Sequence, residues 1–196
     1  MTYFVTGGTG FIGRNLIDQL LKRKGAIHVL VRRGSKKKFN RLVDERWSEH
    51  KKRIVAVNGD LAKPGLGLKS ADVDALSGKI RHFFHLAAVY DLKASAEANQ
   101  VANIDGTRHA IQCAEALSAG CFHHTSSIAA AGLYRGTFRE DMFEEASGLE
   151  HPYFRSKHDS EGLVRKHCSV PWRVYRPGIV RSEERRVGKE CATGCR

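Results

Sequence analysis

The sequence predicts an α/β protein with a doubly wound, parallel sheet. Short β-branched or apolar runs alternate with helical stretches, which is typical of a parallel sheet that helices cover on both faces. The first of these runs leads directly into a glycine-rich turn. The chain has 196 residues, of which 41% are hydrophobic and 28% are charged. It is therefore long enough for one domain with its own core and is not composed like a disordered chain.

Six runs have the length and composition of strands, and helical patterns lie between them. The predicted strands are Thr2–Thr6, Ile27–Val31, Ile54–Val57, Ile80–Leu86, Cys121–Thr125 and Trp172–Tyr175. The first predicted helix carries an apolar stripe from Ile12 to Leu21 and stops before Gly25. Further helices are predicted at 39–49, 94–117 and 152–167. Pro152 stands in the first turn of the last one, where its missing N–H is tolerated.

The glycine-rich turn Thr6–Gly13 has the sequence TGGTGFIG and stands between the first strand and the first helix. Strand, turn and helix in this order are the context that a dinucleotide-binding loop requires. Glycines let the backbone approach a pyrophosphate, and the helix N-terminus offers unpaired N–H groups with a partial positive charge. We therefore predict a nucleotide cofactor at this loop.

The choice of cofactor is predicted from the end of the second strand. An acidic residue there would bind the ribose 2'-hydroxyl of NAD, whereas arginine would meet the 2'-phosphate of NADP. Arg32 and Arg33 follow Val31, and no carboxylate is available at this point. The sequence therefore favours NADP over NAD, although both arginines could also be surface charges of a basic protein.

Tyr153 and Lys157 are four residues apart in a predicted helix and project from the same face. A free tyrosine has a pKa near 10, so it transfers protons poorly at neutral pH unless a nearby positive charge favours the phenolate. Lys157 could supply that charge. The pair is therefore a candidate for proton transfer to a carbonyl oxygen.

These features together resemble the extended short-chain dehydrogenase/reductase family with its NAD(P)-binding Rossmann fold. The shared motifs are a GxxGxxG loop, a Tyr-x-x-x-Lys pair about 140 residues later and serines shortly before that pair. Four further segments match the family in order. They are Asn58–Leu61 beside the adenine, His85–Ala88 at the end of the fourth strand, Asn103–Thr107 in a helix, and Tyr175–Gly178 against the nicotinamide.

Within that family, the segment Gly59–Leu68 is most similar to thioester reductases and fatty acyl-CoA reductases. This similarity implies an oxidoreductase that transfers hydride to a carbonyl or acyl-thioester substrate. Sugar-nucleotide epimerases and dehydratases with a tightly bound NAD(P) are the main alternative. A non-catalytic nucleotide-sensing or RNA-binding relative is less favoured, because such a protein needs no catalytic serine, tyrosine and lysine.

The resemblance also implies roles for individual residues. Ser127, Tyr153, Lys157 and Asn103 match the catalytic positions; Ser127 is preferred to Ser126 because it stands five residues before a glycine. The implied cofactor contacts are Gly7, Thr9, Gly10, Phe11, Ile12, Gly13, Arg32, Arg33, Asp60, Leu61, Leu86, Ala87, Ala88, Asn103, Ser126, Tyr153, Lys157, Pro177, Gly178 and Ile179.

The five cysteines predict neither a disulfide framework nor a metal site. They form no CxxC pair, and their odd number fits a set of reduced thiols. Cys121, His123 and His124 resemble metal ligands in outline, but no second ligand pair at a suitable spacing follows and the run is typical of a buried strand. We therefore predict that the protein holds no metal.

The net charge of +12 is large enough to attract polyanions. The densest basic run, from Lys36 to Arg53, is interrupted by acidic residues, as on a solvated helix, and anionic cofactors or coenzyme A thioesters also suit a basic protein. No nucleic-acid partner is therefore expected. No apolar run approaches a membrane span, and the start Met1–Val5 lacks the basic region of a signal peptide, so the expected location is cytoplasmic. A homodimer is compatible with the family.

The family pattern is interrupted after Val180. The charged run Arg181–Cys191 matches one reading frame of a widely used sequencing adaptor. We therefore predict an NAD(P)-binding domain at 1–180 and a non-native tail at 181–196 produced by adaptor read-through. On this interpretation most of the C-terminal substrate-binding region is missing, and the polypeptide itself is expected to have little activity.

Overall fold

Six parallel strands form one sheet in the computed structural model, which describes residues 1–88, 97 and 100–180 and, at 101 and 102, the backbone alone. The strands are β1 (Thr2–Thr6), β2 (Ala26–Val31), β3 (Ile54–Asn58), β4 (His82–His85), β5 (Phe122–Thr125) and β6 (Trp172–Tyr175). Their order is β3-β2-β1-β4-β5-β6, and every neighbouring pair is parallel. This is the doubly wound order of a Rossmann sheet, so the predicted fold class is confirmed.

Helices and short turns connect the strands. The α-helices in the described residues are α1 (Phe11–Leu21), α2 (Lys36–Arg46), α3 (Ser70–Leu76), α4 (Gly106–Ala116) and α5 (Pro152–His167). Three 3₁₀ turns span Arg33–Ser35, Ser48–Arg53 and Ile128–Ala131, and a left-handed turn spans Pro64–Gly67. A π-helical turn, Gln100–Asp105, precedes α4. None of the helices in these residues is long and apolar enough to cross a membrane.

The predicted elements agree with the structure except at a few boundaries. The fourth strand is shorter than predicted, and α2 ends at Arg46 because Trp47 leaves helical geometry while its ring is buried and its Nε1–H donates to Asp18. Helix α3 was not predicted, because it has only 7 residues and buries only Leu76. Most of the predicted stretch 94–99 and the whole predicted tail 181–196 lie outside the described residues.

Alternation along the strands divides the core between the two faces of the sheet. On one face, the strand residues Phe4, Phe83 and Phe122 pack with Ala110 of α4 and Val164 of α5. On the other face, Tyr3, Val5 and Val29 pack with Ile17 of α1 and Phe39 of α2. The strand order reverses between β1 and β4. In such sheets ligands bind at this switch point, beyond the carboxyl ends of the strands.

A left-handed turn after β3 holds the next loop against the core. Gly65, Leu66 and Gly67 have φ values of +56°, +61° and +60°, and Leu66 is fully buried. The Leu66 carbonyl accepts a hydrogen bond from the Asp60 N–H at 2.8 Å. Left-handed geometry costs a leucine roughly 1–2 kcal/mol. Burial of its side chain contributes about 1.5–3 kcal/mol and offsets that strain.

Candidate functional site

The glycine loop packs so tightly that side chains are excluded at two positions. Gly7 has a φ of +71°, and a Cβ there would lie 2.7 Å from the Ala87 nitrogen. A Cβ on Gly13 would lie 2.2 Å from the Gly7 carbonyl oxygen. The first turn of α1 therefore sits directly on the end of β1. Thr9, Gly10, Phe11 and Ile12 are exposed on the open side of the loop.

The N-terminus of α1 is suited to a phosphate group. Its N-cap, Gly10, has no side chain to accept the first N–H groups, and the first turn contains no acidic residue. The first N–H groups of a helix have no partner within it and carry a partial positive charge. The backbone here thus fits the pyrophosphate of a dinucleotide.

Arg32 and Arg33 directly follow β2 at the same edge of the sheet and are exposed. The Arg32 carbonyl accepts a hydrogen bond from the Ser35 N–H at 2.8 Å, which starts a short turn. Within the described part of the chain neither guanidinium forms an ion pair with a carboxylate. Both side chains are therefore available to an anionic ligand.

The loops after β3 and β4 complete this side of the site. Asp60 folds back so that its Oδ1 accepts from the Ala62 N–H at 3.1 Å, and the Leu61 carbonyl accepts from the His109 ring at 2.7 Å. Leu86 and Ala87 are half-buried and Ala88 is exposed. The Ala87 N–H donates to the Thr6 hydroxyl at 3.3 Å, which fixes the β4 end beside Gly7.

Tyr153 and Lys157 lie one turn apart on the buried face of α5. The helix begins with Pro152, and its N-cap, His151, accepts the Tyr153 N–H at 3.2 Å. The Lys157 ammonium donates to the carbonyl of Thr125, the last residue of β5, at 3.3 Å. Burial lowers the pKa of Lys157 to about 8. The amine therefore keeps its positive charge at neutral pH and loses it in mildly alkaline solution.

The two serines after β5 have different partners. The Ser127 hydroxyl caps the turn Ile128–Ala131 by accepting the Ala129 N–H at 3.1 Å. That bond uses a lone pair of the oxygen, so the hydroxyl proton can still be donated to a ligand. Ser126 is 2% exposed, and its hydroxyl donates to Glu161 at 2.8 Å.

Glu161 is a structural centre of the site that the sequence did not reveal. It is fully buried, and its carboxylate accepts hydrogen bonds from Ser126, Arg165 and Arg176 at 2.7–3.0 Å. Burial alone would raise the pKa of Glu161, but the bonds from Arg176, Ser126 and Arg165 outweigh it and lower the pKa. This carboxylate ties α5 to the ends of β5 and β6. The only sequence signal was the i,i+4 spacing of Glu161 and Arg165.

Asn103 stands in the π-helical turn ahead of α4 and is 2% exposed. Its side-chain amide donates to the Ser156 hydroxyl at 3.0 Å, and that hydroxyl donates to the Tyr153 carbonyl at 2.9 Å. Asn103 therefore contacts the same turn of α5 that carries Tyr153 and Lys157. Ser156, the link between them, was not identified from the sequence.

An open cleft of about 1480 Å³ is lined by α1 and by residues of β4, β5 and β6. Four of the predicted cofactor contacts line it, namely Phe11, Ile12, Leu86 and Pro177. Ile128, next to Ser127, lines it as well. Tyr153 is only 4% exposed, and neither it nor Lys157 lines the cleft. Gly178 and Ile179 are exposed after β6.

The structure groups Cys121 and His123 with His82, and not with His124, which the sequence had also placed among the candidate metal ligands. One ligand atom from each of these three residues lies within 4.8 Å of the others. His82 and His123 already share a hydrogen bond of 3.0 Å. Burial lowers the pKa of His82, and the charges of Arg81, Arg173 and Arg23 lower it further. Because this positive field also opposes a metal cation, the absence of a metal stays our prediction.

The strand order and the open glycine loop define the class of this protein as a dinucleotide-binding α/β domain. Over residues 5–194 the sequence matches the NAD-binding family described as Male sterility protein, and the chain belongs to that family. The resemblance to NAD(P)-dependent reductases of the extended short-chain dehydrogenase/reductase group is thereby confirmed.

Three similar proteins illustrate the family. A component of the linear gramicidin synthase of Brevibacillus parabrevis is 33% identical over 189 residues, which cover 89% of this chain and 4% of that protein. Fatty acyl-CoA reductase wat of Drosophila melanogaster is 25% identical over 218 residues, covering 90% and 42%. The crystal structure of the terminal R domain from the myxalamid PKS-NRPS biosynthetic pathway has 32% identity and a TM-score of 0.79, covering 90% and 48%. The chain thus spans less than half the length of each.

Proposed function

We propose that this protein is an NADPH-dependent reductase of a carbonyl or acyl-thioester group, in which Tyr153 protonates the substrate oxygen. The observation that carries the proposal is the one-turn spacing of Tyr153 and Lys157 on the buried face of α5, with the Lys157 ammonium bound to the end of β5. An acyl-thioester substrate is supported by the similarity to fatty acyl-CoA reductase wat.

Each residue of the proposed site has a separate task. NADPH, when bound, supplies the hydride. Ser127 donates a hydrogen bond to the substrate oxygen, and Tyr153 transfers a proton to that oxygen as negative charge develops on it. With a thioester, the resulting hemithioacetal then breaks its C–S bond and releases the aldehyde and the free thiol. The ammonium of Lys157 favours the phenolate that Tyr153 becomes. The backbone of the glycine loop would hold the pyrophosphate.

The consumption of cofactor tests this function. With an acyl-CoA and NADPH, the whole protein is expected to form one aldehyde and one free thiol for each NADPH oxidised, measured by absorbance and a thiol assay. An epimerase recycles its nicotinamide. Turnover of a sugar nucleotide with no net loss of NADPH would therefore replace the reductase proposal by the epimerase alternative. RNA binding that persists at saturating NADPH, with no turnover of either substrate, would contradict both.

The two arginines after β2 are expected to select the cofactor. Replacing Arg32 and Arg33 together with alanine should weaken NADPH binding about tenfold to a hundredfold, because a charge-assisted hydrogen bond contributes roughly 1.5–3 kcal/mol. NADH binding, which involves no 2'-phosphate, should change less than about threefold. Nucleotide titrations of the protein's intrinsic fluorescence measure both affinities.

The matched control for this experiment is the double variant Lys37→Ala and Lys38→Ala. It removes the same charge from the exposed surface of α2. If the two double variants weaken NADPH equally, general surface charge explains the effect, and the proposed contact with the 2'-phosphate is wrong.

A further inference from the structure

A line of buried polar groups, which passes through the main chain of Asn103, connects the end of β1 with α5. Thr6, His85, Thr107, Asn103 and Ser156 are each at most 2% exposed. The Thr6 hydroxyl lies 2.9 Å from His85 Nδ1, and His85 Nε2 lies 3.1 Å from the Thr107 hydroxyl. The Thr107 hydroxyl is 2.6 Å from the main-chain carbonyl oxygen of Asn103, and the side-chain amide of Asn103 donates to Ser156 at 3.0 Å. The line therefore passes from β1 to the neighbouring strand β4, then to α4, and ends at α5.

The directions of the hydrogen bonds from Asn103 back to Thr6 follow from one fixed acceptor, the main-chain carbonyl of Asn103. The Asn103 carbonyl can only accept, so the Thr107 hydroxyl donates its single proton there. Thr107 must then accept from His85, which places the ring proton on Nε2. His85 Nδ1 is left with a lone pair and accepts from the Thr6 hydroxyl, whose oxygen accepts from the Ala87 N–H. Only one tautomer of a neutral His85 satisfies these contacts.

The surroundings of His85 keep it in that neutral form. Burial lowers its pKa to about 3, and the charge of Lys157 acts in the same direction. The ring also stacks on His124, with the ring centroids 5.6 Å apart. A protonated His85 would donate from both ring nitrogens, so the Thr6 hydroxyl would lose its acceptor and would have to turn its own proton away from the ring.

We propose that Thr6, His85 and Thr107 are positioning residues that hold Asn103 against the turn of α5 carrying Tyr153 and Lys157. The inference rests on the proposed function, since it assumes that this turn of α5 does the chemistry. The Thr6 hydroxyl also binds the Ala87 N–H next to Gly7. This line of hydrogen bonds from Thr6 to Ser156, called the relay below, thus joins the cofactor loop to α5. A single tautomer of His85 fixes its geometry.

The first test determines the tautomer of His85 and needs no activity assay. ¹⁵N NMR of histidine-labelled protein at pH 7.5 is expected to show His85 as a neutral ring protonated at Nε2. Thr107→Val removes the hydroxyl at nearly constant volume and should abolish that fixed tautomer, whereas Thr107→Ser should keep it. A wild-type His85 protonated at Nδ1, or at both nitrogens, would overturn the proposal.

The second test separates positioning from general stability. In the whole protein, Thr107→Val should lower kcat about tenfold to a hundredfold with less than about a threefold change in KM, because misplacement of reacting groups costs that much. Thr107→Ser should restore kcat. Ser169→Ala is the control, because it removes a hydroxyl that bonds Glu115 near the end of α4 and lies outside the relay. Its kcat should stay within about twofold of wild type.

Two outcomes distinguish this inference from the function it rests on. If Tyr153→Phe is inactive while Thr107→Val keeps the wild-type kcat, the relay has no positioning role and the proposed function stands. If Tyr153→Phe keeps full turnover, the proposed function fails and the positioning role fails with it.

Discussion

Replacing Tyr153 with phenylalanine is expected to lower kcat by about two to four orders of magnitude, the usual contribution of a positioned acid or base. The phenol is the proposed source of the proton for the substrate oxygen, and phenylalanine keeps the buried ring at this position of α5. NADPH affinity should stay within about threefold, because the glycine loop and the arginines after β2 remain intact. Steady-state kinetics and a nucleotide titration on the same preparation measure both quantities.

A matched tyrosine separates loss of the proton donor from loss of a hydroxyl in general. Tyr134→Phe changes a half-buried tyrosine that packs on Phe138, and its kcat should equal that of the wild type. The pH profile gives an independent check: because burial brings the pKa of Lys157 to about 8, its charge is present below that pH, and kcat should decline as pH rises through it. Full turnover by Tyr153→Phe would remove Tyr153 from the mechanism.

The strands and the glycine loop were predictable because their signals are local. Short β-branched or apolar runs predicted Thr2–Thr6 and Trp172–Tyr175 with the boundaries that the structure has. Gly7 and Gly13 stand where a strand turns at once into a helix. Close backbone contacts leave no room for a side chain at either position, which explains why both are glycine. Such constraints act within about ten residues of chain, so a single sequence contains them.

The polar network of the site was not predictable because its partners are distant in sequence. His85 meets Thr6 across 79 residues, and Ser126 meets Glu161 across 35. Nothing in the spacing of these residues indicates that strand pairing and helix packing bring them together. The adjacent His123 and His124 illustrate the same limit: alternation puts them on opposite faces, but only the strand order shows that His124 lies beside His85.

The free energy of unfolding is expected to fall by about 4 kcal/mol between pH 7.5 and pH 5.5 because of three buried histidines. Burial lowers the pKa of His85 to about 3 and of His123 to about 4, and it holds the pKa of His124 well below its ordinary value. In the unfolded chain each ring has a pKa near 6.5. The unfolded state therefore binds protons first as pH falls below that value, and each histidine contributes about 1.4 kcal/mol of the loss by pH 5.5.

Urea denaturation of one His124 variant provides the sharpest test of this expectation. Both ring nitrogens of His124 are buried without a hydrogen-bond partner in the described structure, and the ring stacks beside Phe122. His124→Phe should therefore leave stability at pH 7.5 unchanged or higher, and should reduce the loss between pH 7.5 and 5.5 by about 1.4 kcal/mol. His167→Gln, a control that changes an exposed histidine at the end of α5, should keep the full loss.

Glu161 does not interfere with this measurement, because its pKa is lowered in the folded protein. Its contribution to the free energy of unfolding is lost only as the pH falls below about 4.3, the pKa of a glutamate in the unfolded chain. The loss between pH 7.5 and 5.5 therefore reports on histidines. An unchanged pH dependence in His124→Phe would mean that His124 takes up a proton within the folded protein, contrary to its burial between α5 and the sheet.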